Sequence, residues 1–255
     1  MPTDTDKRAA ITPPDQALIN PTREPGEAAV APRVILAFTR PDYHNLCRLS
    51  RTAGPPRYLW DCGIHEGSWE GKGITVAGPA LGAPYAVMIL ERLIALGAKV
   101  VLALGWCGSL QNRVKVGSLV VPTGAVSGDG TSPHYLPGGM QPAPHGELCR
   151  LLQSHLQDAE MPVHSGPIWT TDAFYRETAA QVSHHQAQGV LGVDLELAAL
   201  FAVGQFRQVA VAGLLVVSDA LGDLTWRPGF HTPAFRQGRR KATRVVLDVA
   251  AAAKQ

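Results

Sequence analysis

The first feature of this 255-residue chain is a series of apolar runs in which apolar and polar positions do not alternate. Runs of roughly four to eight such residues, bounded by glycine or proline, are typical of strands that are buried on both faces of a sheet. The pattern predicts strands at residues 34–38, 74–77, 100–104, 116–122, 168–171 and 209–217.

Segments of helical composition lie between these strands. Helices are predicted at residues 42–51, 84–97, 147–157 and 233–252. A fifth helix is predicted to end near residue 186, and a sixth to begin near residue 196. Pro84 falls in the first turn of the second helix and Gly97 at its end, positions that these residues favour. The alternation of strand, loop and helix predicts a single α/β domain over residues 33–255.

Residues 1–32 differ from the rest of the chain. They contain six prolines, scattered charges and no apolar periodicity. This composition predicts a flexible N-terminal arm. The segment also lacks the apolar core of a secretory signal.

The totals exclude several classes of partner. Only 17% of the residues are charged, below the average of about 25%, which indicates a large interior or a subunit interface. The net charge of +2 gives no reason to expect a nucleic-acid partner, and no apolar run approaches the roughly 18 residues of a membrane span. The four cysteines form no CxxC pair and are expected to be reduced thiols in a cytoplasmic protein.

Two acids stand out because their surroundings are apolar. Glu196 begins a helix whose next seven residues are apolar, and Asp219 follows the strand predicted at 209–217. A carboxylate in such surroundings requires a polar partner, and the carboxyl ends of strands in α/β sheets form ligand-binding crevices. Either acid alone is explained by helix capping or by a favourable helix terminus. The pair together indicates a site.

Other motifs of known chemistry are missing from the sequence. None of the nine histidines forms an HxxxH or HExxH pair, so no metal site is predicted. No serine lies in a GxSxG elbow. The glycine loop at residues 78–82 could bring N–H groups to a phosphate, but no Gly-Lys-Ser/Thr follows it, and a tight turn is the simpler interpretation.

Seven segments together resemble the nucleoside phosphorylase family, which includes purine nucleoside phosphorylase, uridine phosphorylase and methylthioadenosine/adenosylhomocysteine nucleosidase. They are GPALGAP (78–84), ERLIALGAKVVLALG (91–105), WCGSL with KVGSLVVP (106–122), DGTSPHY (129–135), TDAFY (171–175), VDLELAALF (193–201) and VVSDA (216–220). The segments occur in the order found in the family. The resemblance implies a mixed, mostly parallel central sheet flanked by helices, and an enzyme that cleaves the glycosidic bond of a nucleoside without a cofactor.

The resemblance also assigns roles to individual residues. Glu196 matches the acid that holds the ribose 2′- and 3′-hydroxyls, and two vicinal hydroxyls suit the two acceptor oxygens of a carboxylate. Phe174 matches the aromatic residue that stacks on the base, and Asp219 the acid at N7 of a purine leaving group. Leu195, Cys107 and Gly108 fall at further substrate-binding positions. The resemblance therefore favours a purine nucleoside as the small-molecule substrate and a homo-oligomer, either a dimer or a trimer of dimers.

Three departures from the family leave the acceptor open between phosphate and water. Ala103 and Trp106 stand where phosphorylases have an arginine and a serine or threonine, and Tyr43 stands where the last arginine of a GDPxR loop is usual. A phosphate dianion needs several charge-assisted hydrogen bonds. Inorganic phosphate therefore remains a co-substrate only as one of two alternatives.

The resemblance and these departures define an acceptor pocket. Its residues are Arg40, Gly105 and Trp106, and Asp42 is the acid available to activate water. A non-catalytic member of the family that binds a nucleoside is the alternative function. The presence of both Glu196 and Asp219 argues against that alternative, because a pure binder has less need of a leaving-group acid.

Overall fold

Ten strands form one mixed sheet, part of which closes on itself. The computed structural model describes residues 17–52, 54–136, 139–157 and 161–254. The strands are β1 (Arg33–Ala37), β2 (Arg57–Leu59), β3 (Cys62–Trp69), β4 (Lys72–Gly78), β5 (Val100–Ser109), β6 (Leu119–Gly128), β7 (Val163–Thr171), β8 (Gly192–Asp194), β9 (Ala210–Ala220) and β10 (Arg227–Pro228). The helices are α1 (Arg40–Leu49), α2 (Ala83–Ala95), α3 (Gly146–His155), α4 (Ala179–Ala187), α5 (Leu197–Arg207) and α6 (Pro233–Ala252).

The strand order is β10-β9-β6-β7-β8-β5-β1-β4-β3-β2, and β9 also pairs with β5. The second pairing closes β5, β9, β6, β7 and β8 into a ring, from which β1, β4, β3 and β2 extend. Five pairings are parallel and five antiparallel, and the two longest, β5–β9 and β6–β7, are parallel. The mixed α/β sheet is therefore confirmed, with parallel pairing at its centre.

Helices cover the sheet on two sides. Helices α2 and α5 pack together on one side, and α1, α3 and α6 lie on the other. Each layer has its own apolar cluster, which includes Phe201 and Leu90 on the first side and Phe235 and Leu46 on the second. Covering both faces explains why the central strands are apolar runs rather than alternating ones.

The predicted elements differ from the observed ones mainly in length and in four strands that were not predicted, β2, β3, β8 and β10. Helix α6 matches its predicted range, whereas β5 and β9 continue past their predicted ends, so that Asp219 lies within β9 rather than after it. The hairpin β2–β3 and strand β8 were not expected. Strands β2 and β8 have only three residues each, too few for a periodicity to appear.

The predicted N-terminal arm falls partly outside the described residues, which exclude residues 1–16. From residue 22 onward the chain lies against the domain. Glu27 pairs with Arg92 at 2.7 Å, and the backbone N–H of Val30 donates to the Leu96 carbonyl at 3.1 Å. The second half of the arm is thus attached to helix α2. Among the described helices, none is both long and apolar enough to cross a bilayer.

Candidate active site

A cavity of about 130 Å³ opens where several strands reach their carboxyl ends. It is lined by Phe38, Thr39, Leu81, Trp106, Cys107, Gly108, Phe174, Glu177, Val193, Asp194, Leu195, Glu196, Ser218, Asp219 and Phe230. Residues at the ends of β5, β8 and β9 meet there because the ring of strands brings these ends together. This is the edge at which α/β sheets bind ligands.

Glu196 is the residue at which helix α5 begins, and it is almost fully buried, with 2% of its surface exposed. Its Oε1 accepts from the backbone N–H of Gly82 at 2.8 Å, and Oε2 accepts from that of Leu195 at 3.3 Å. Burial, followed by the charge of Asp194, raises the pKa of Glu196 well above its usual range. The glycine loop at 78–82 therefore presents a backbone N–H to this carboxyl group.

Asp219 is the penultimate residue of strand β9, and its carboxyl group accepts two side-chain hydrogen bonds. Ser218 Oγ donates to its Oδ1 at 2.6 Å, and the indole N–H of Trp226 donates to its Oδ2 at 2.9 Å. Burial raises the pKa of Asp219, although both hydrogen bonds oppose this shift. Trp226 comes from the loop that follows β9, so the loop reaches the acid at the cavity.

Asp194 is a third buried acid in the cavity wall, and it is not among the site residues predicted from the sequence. Thr170 Oγ1 donates to its Oδ1 at 2.5 Å, and the backbone N–H of Leu197 donates to its Oδ2 at 2.9 Å. Burial raises the pKa of Asp194 to about 7. Its bond to an N–H of the first turn of α5 gives it a capping role, and its charge acts on Glu196.

Glu177 is a fourth acid that lines the cavity, beside the predicted base-stacking residue. A 3-10 helix spans Phe174–Arg176, and the Glu177 backbone N–H donates to the Phe174 carbonyl at 3.5 Å. Burial, then the charge of Asp219, raises the pKa of Glu177 to about 7. Phe174 is 38% exposed, and its ring lies perpendicular to that of Trp226 at a centroid distance of 6.5 Å.

The structure brings most of the predicted site residues together. Glu196, Leu195, Phe174, Gly108, Cys107, Asp219 and Trp106 all line the one cavity. A Cβ added at Gly108 would lie 3.1 Å from Asp219 Oδ2, so this glycine allows the acid to approach β5 closely. Burial, followed by the charges of Asp194 and Asp219, raises the pKa of Cys107 well above its usual value and keeps the thiol neutral.

The structure separates the other three predicted residues from the cavity. Asp42 is fully buried and bound by Arg239 Nε at 2.8 Å, the indole N–H of Trp106 at 2.6 Å and Thr39 Oγ1 at 3.0 Å. These three partners hold the Asp42 carboxylate in an ion pair behind the cavity wall, where it does not line the cavity. This position does not suit the predicted activation of water. Arg40 is exposed at the start of α1.

Gly105 lies behind the cavity wall rather than in it. A Cβ at this position would come within 2.3 Å of the Phe38 ring. The glycine therefore makes room for Phe38, which lines the cavity in its place. In the part of the chain that the structure describes, no group of three His, Cys, Asp or Glu side chains is arranged to hold a metal.

The family comparison agrees with this geometry. The model of the phosphorylase superfamily matches residues 32–251. A guanosine phosphorylase from Halorubrum lacusprofundi is 30% identical over 158 residues, which cover 62% of this chain and 66% of the relative. A purine nucleoside phosphorylase of the DeoD type from Myxococcus xanthus is 30% identical over 155 residues, or 60% of this chain and 65% of the relative. The chain thus spans just under two thirds of the length of these relatives.

Solved structures share the fold over nearly the whole chain. A uridine phosphorylase from Vibrio fischeri ES114 superimposes with a TM-score of 0.82 at 23% identity, covering 91% of this chain and 98% of that protein. A purine nucleoside phosphorylase from Toxoplasma gondii in complex with immucillin-H gives 0.80 at 20% identity, covering 93% and 98%. These similarities confirm the α/β fold with a mixed sheet flanked by helices.

Proposed function

Because the chain belongs to the phosphorylase superfamily, we propose that it cleaves the N-glycosidic bond of a nucleoside and that the base is a purine. The observation that carries this proposal is the meeting of Glu196, Asp219 and Phe174 in one cavity. The three residues come from different elements, and they supply what the reaction needs at the sugar, the leaving group and the base plane. The similarity to guanosine and purine nucleoside phosphorylases supports the purine.

Glu196 suits the sugar because its carboxyl group is fixed in position. Two backbone N–H groups hold the carboxylate, and their bonds leave further oxygen lone pairs for donors from a ligand. Two vicinal ribose hydroxyls are donors at a matching separation. Hydroxyl donors favour the ionised carboxylate. A bound ribose is therefore expected to offset the effect of burial on Glu196.

Asp219 suits the leaving base because its carboxyl group lines the cavity, where burial raises its pKa from the usual value. Breaking the bond between C1′ and the base places negative charge on the base and positive charge on the sugar. A proton donated by Asp219 to N7 stabilises the departing purine, and general acid catalysis of this kind contributes about 10²- to 10⁴-fold. Ser218 and Trp226 hold the acid in place.

The acceptor is phosphate or water, and each has one observation in its favour. The relatives named above are phosphorylases, which supports phosphate. The charges at the cavity support water, because four carboxyl groups line it and none of its described lining residues is lysine or arginine. A phosphate dianion near these carboxyl groups needs cationic partners.

A product analysis tests the function and separates the two acceptors. The purified protein is incubated with guanosine, inosine, adenosine and uridine, with and without phosphate, and the products are separated by chromatography. Free base with ribose 1-phosphate, formed only when phosphate is present, establishes phosphorolysis. Free base with ribose in both buffers establishes hydrolysis. Binding of nucleosides without any product establishes the non-catalytic alternative.

A variant of the leaving-group acid tests the mechanism. Asp219→Asn keeps the shape of the side chain and removes its acidic proton, so kcat for purine nucleosides is expected to fall by about 10²-fold or more while binding changes little. Asp223→Asn is the matched control, because Asp223 lies in the following loop, where it pairs with the exposed Arg227 and accepts from the backbone N–H of Thr225. Equal kcat in wild type and Asp219→Asn removes Asp219 from the mechanism.

We further propose a cytoplasmic homo-oligomer with a role in nucleoside salvage. Several large apolar side chains are exposed: Leu81, which lines the cavity, is 62% exposed, Met88 45% and Tyr175 93%. Exposed apolar surface is a feature of interfaces between subunits. The four cysteines are all free thiols, which agrees with a reducing compartment. Sedimentation velocity measures the assembly directly.

A further inference from the structure

The hydroxyl and indole donors that line the cavity are all bound to carboxylates of the protein, within the part of the chain that the structure describes. Three described lining residues carry such a donor: Thr39, Trp106 and Ser218. Ser218 donates to Asp219 at 2.6 Å, and Thr39 and Trp106 both donate to Asp42, at 3.0 and 2.6 Å. A ligand in the cavity therefore meets side-chain donors that already have an anionic partner.

Asp42 also binds a cation that lies against the cavity wall. The guanidinium of Arg239 lies over the ring of Trp106, 5.2 Å from the ring centroid. Two of its nitrogen atoms are 2.7 and 2.8 Å from Oδ1 of Asp42. Asp42 is fully buried, so solvent ions screen this pair little. The positive charge of Arg239 is thus compensated inside the protein rather than offered to the cavity.

The two acceptors of the proposed reaction differ in the hydrogen bonds that they form. A phosphate dianion has only acceptor oxygens and needs several charge-assisted hydrogen bonds from donors. Water can itself donate, and Thr39 Oγ1 keeps two acceptor lone pairs while its own proton is directed to Asp42. The wall formed by Thr39 and Trp106 therefore suits a water molecule and does not suit phosphate.

We propose that Asp42 determines the acceptor: because it binds the donors of Thr39, Trp106 and Arg239, these donors do not serve phosphate, and the sugar is transferred to water. This inference rests on the proposed function and deepens it by selecting hydrolysis. The oxygen of water forms a bond to C1′ while the C1′–N bond breaks, and the electron pair of that bond leaves with the base. Asp219 protonates the base, and the proton that water releases to solvent replaces the one lost from Asp219.

Thr39 is the residue that contacts this water. It precedes helix α1, but its side chain makes no cap bond to the backbone of that helix. Its hydroxyl instead donates to Asp42, three residues later, and this bond fixes the direction of the remaining lone pairs. Asp42 thus acts on the water through Thr39 and has no contact with it.

The first experiment measures phosphate binding and does not depend on turnover. Inorganic phosphate is titrated by calorimetry into the wild type, Asp42→Asn and Asp61→Asn, after circular dichroism has shown that each is folded. Asp42→Asn leaves the charge of Arg239 uncompensated and is expected to bind phosphate about tenfold more tightly than the wild type, or better. Asp61→Asn, which removes an exposed acid between β2 and β3, is the matched control and should equal the wild type.

A double variant shows whether the gain comes from the released cation. Adding Arg239→Met to Asp42→Asn is expected to return phosphate affinity to that of the wild type. Equal phosphate affinity in Asp42→Asn and the wild type overturns the proposal. The same gain in Asp61→Asn also overturns it, because loss of any acid would then have the same effect.

The second experiment analyses products and rates with a purine nucleoside. The wild type is expected to form ribose at a rate that added phosphate does not raise. Thr39→Val removes the hydroxyl and is expected to lower kcat by about tenfold with KM changed less than about twofold. Thr39→Ser, which keeps the hydroxyl, is expected to recover most of the lost rate. Since Thr39 makes no cap bond, both variants should retain helix α1.

The outcomes separate this proposal from the proposed function. Ribose 1-phosphate formed by the wild type, or an unchanged kcat in Thr39→Val, overturns the selection of water and leaves nucleoside cleavage standing. These two results also decide the matter if Asp42→Asn does not fold. A wild type that cleaves no nucleoside contradicts the proposed function, and the phosphate titration then shows by itself whether Asp42 keeps the donors from phosphate.

Discussion

The indole N–H of Trp226 donates to Oδ2 of Asp219 at 2.9 Å, which joins the loop after β9 to the proposed leaving-group acid. A donor to a carboxylate stabilises its ionised form, so this bond lowers the pKa of Asp219, whereas burial raises it. Trp226 is 53% exposed, and its bond can be lost without opening the core. The loop thus influences the pKa of Asp219, the acid that donates a proton in the proposed reaction.

Trp226→Phe is expected to move the pH dependence of the reaction. Phenylalanine retains a ring beside Phe174 and removes the N–H, so the pKa of Asp219 rises. Activity that requires protonated Asp219 then persists to higher pH. We expect the basic limb of the kcat profile to shift upward by about 0.5 to 1 pH unit, since one hydrogen bond contributes on the order of 1 kcal/mol.

The measurement is a series of kcat values between pH 5 and 9 with a purine nucleoside that the wild type cleaves. Trp60→Phe serves as the matched control, because Trp60 is similarly exposed at 56% and lies in the turn between β2 and β3. A basic limb that stays in place in Trp226→Phe would show that the bond does not control Asp219.

The ion pair between Asp42 and Arg239 should act on stability rather than on the chemical step. Removing one member of a buried pair leaves an uncompensated charge, and this costs about 3 to 5 kcal/mol. Asp42 and Arg239 have side chains that are 1% and 16% exposed, and their closest atoms are 2.7 Å apart. Asp42→Asn and Arg239→Met are each expected to lower the free energy of unfolding by about 3 kcal/mol.

A double-mutant cycle in urea checks this expectation. The double variant should lose less than the sum of the two single losses, because neither charge is then left alone. If Asp42 instead activated water, Asp42→Asn would lose turnover with a nearly unchanged unfolding midpoint. That result would return Asp42 to the reaction.

The main site acids could be predicted from the sequence because their neighbours are apolar. Glu196 and Asp219 adjoin apolar runs that are typical of buried elements, which predicts that both acids are buried. Their roles come from the resemblance to the family. Asp194 lies only two residues before Glu196, and a single acid just before a helix is not by itself evidence of a site. The two carboxyl groups lie close enough for the charge of Asp194 to act on Glu196 because the chain turns between β8 and α5. Strand β8 has only three residues, so the sequence pattern does not predict this turn.

The residues that were missed depend on loops and on partners distant in sequence. Glu177 lies in the polar segment 175–178 and lines the cavity only because a 3-10 turn brings it there after Phe174. Asp42 was expected at the acceptor because it was the nearest acid in the sequence. Its partner Arg239 lies 197 positions away, on helix α6. Pairing of this kind requires the tertiary structure.

Gly108 packs closely against its neighbours in the cavity wall, so a larger residue there should disturb the site. A Cβ at this position would lie 2.8 Å from Leu221 Cδ1, 3.1 Å from Asp219 Oδ2 and 3.3 Å from Val193 Cγ1. Gly108→Ala is therefore expected to displace the Asp219 carboxyl group and to lower kcat/KM about tenfold or more, because small errors in the position of a catalytic group are costly. Gly124→Ala, whose Cβ would meet only the Pro142 carbonyl at 3.9 Å, is the control, and equal activity of the two variants would contradict the fit.

The buried carboxyl of Glu196 should make the protein less stable as the pH rises. Its pKa in the folded protein lies well above the usual 4.5, so the folded state holds its proton more tightly than the unfolded chain does. The contribution of this proton is complete below about pH 4.5 and is lost as the pH rises through the pKa of the folded protein. Glu196→Gln keeps an acceptor for the Gly82 N–H but cannot ionise. Its free energy of unfolding in urea is expected to exceed that of the wild type at pH 7.5 and to converge with it as the pH falls to about 4.5, while turnover is lost. Glu147→Gln, at an exposed position, is the control and should have the same free energy of unfolding as the wild type at each pH. If the plots of unfolding free energy against pH are parallel for Glu196→Gln and the wild type, Glu196 ionises as readily in the folded protein as in the unfolded chain, which contradicts the prediction.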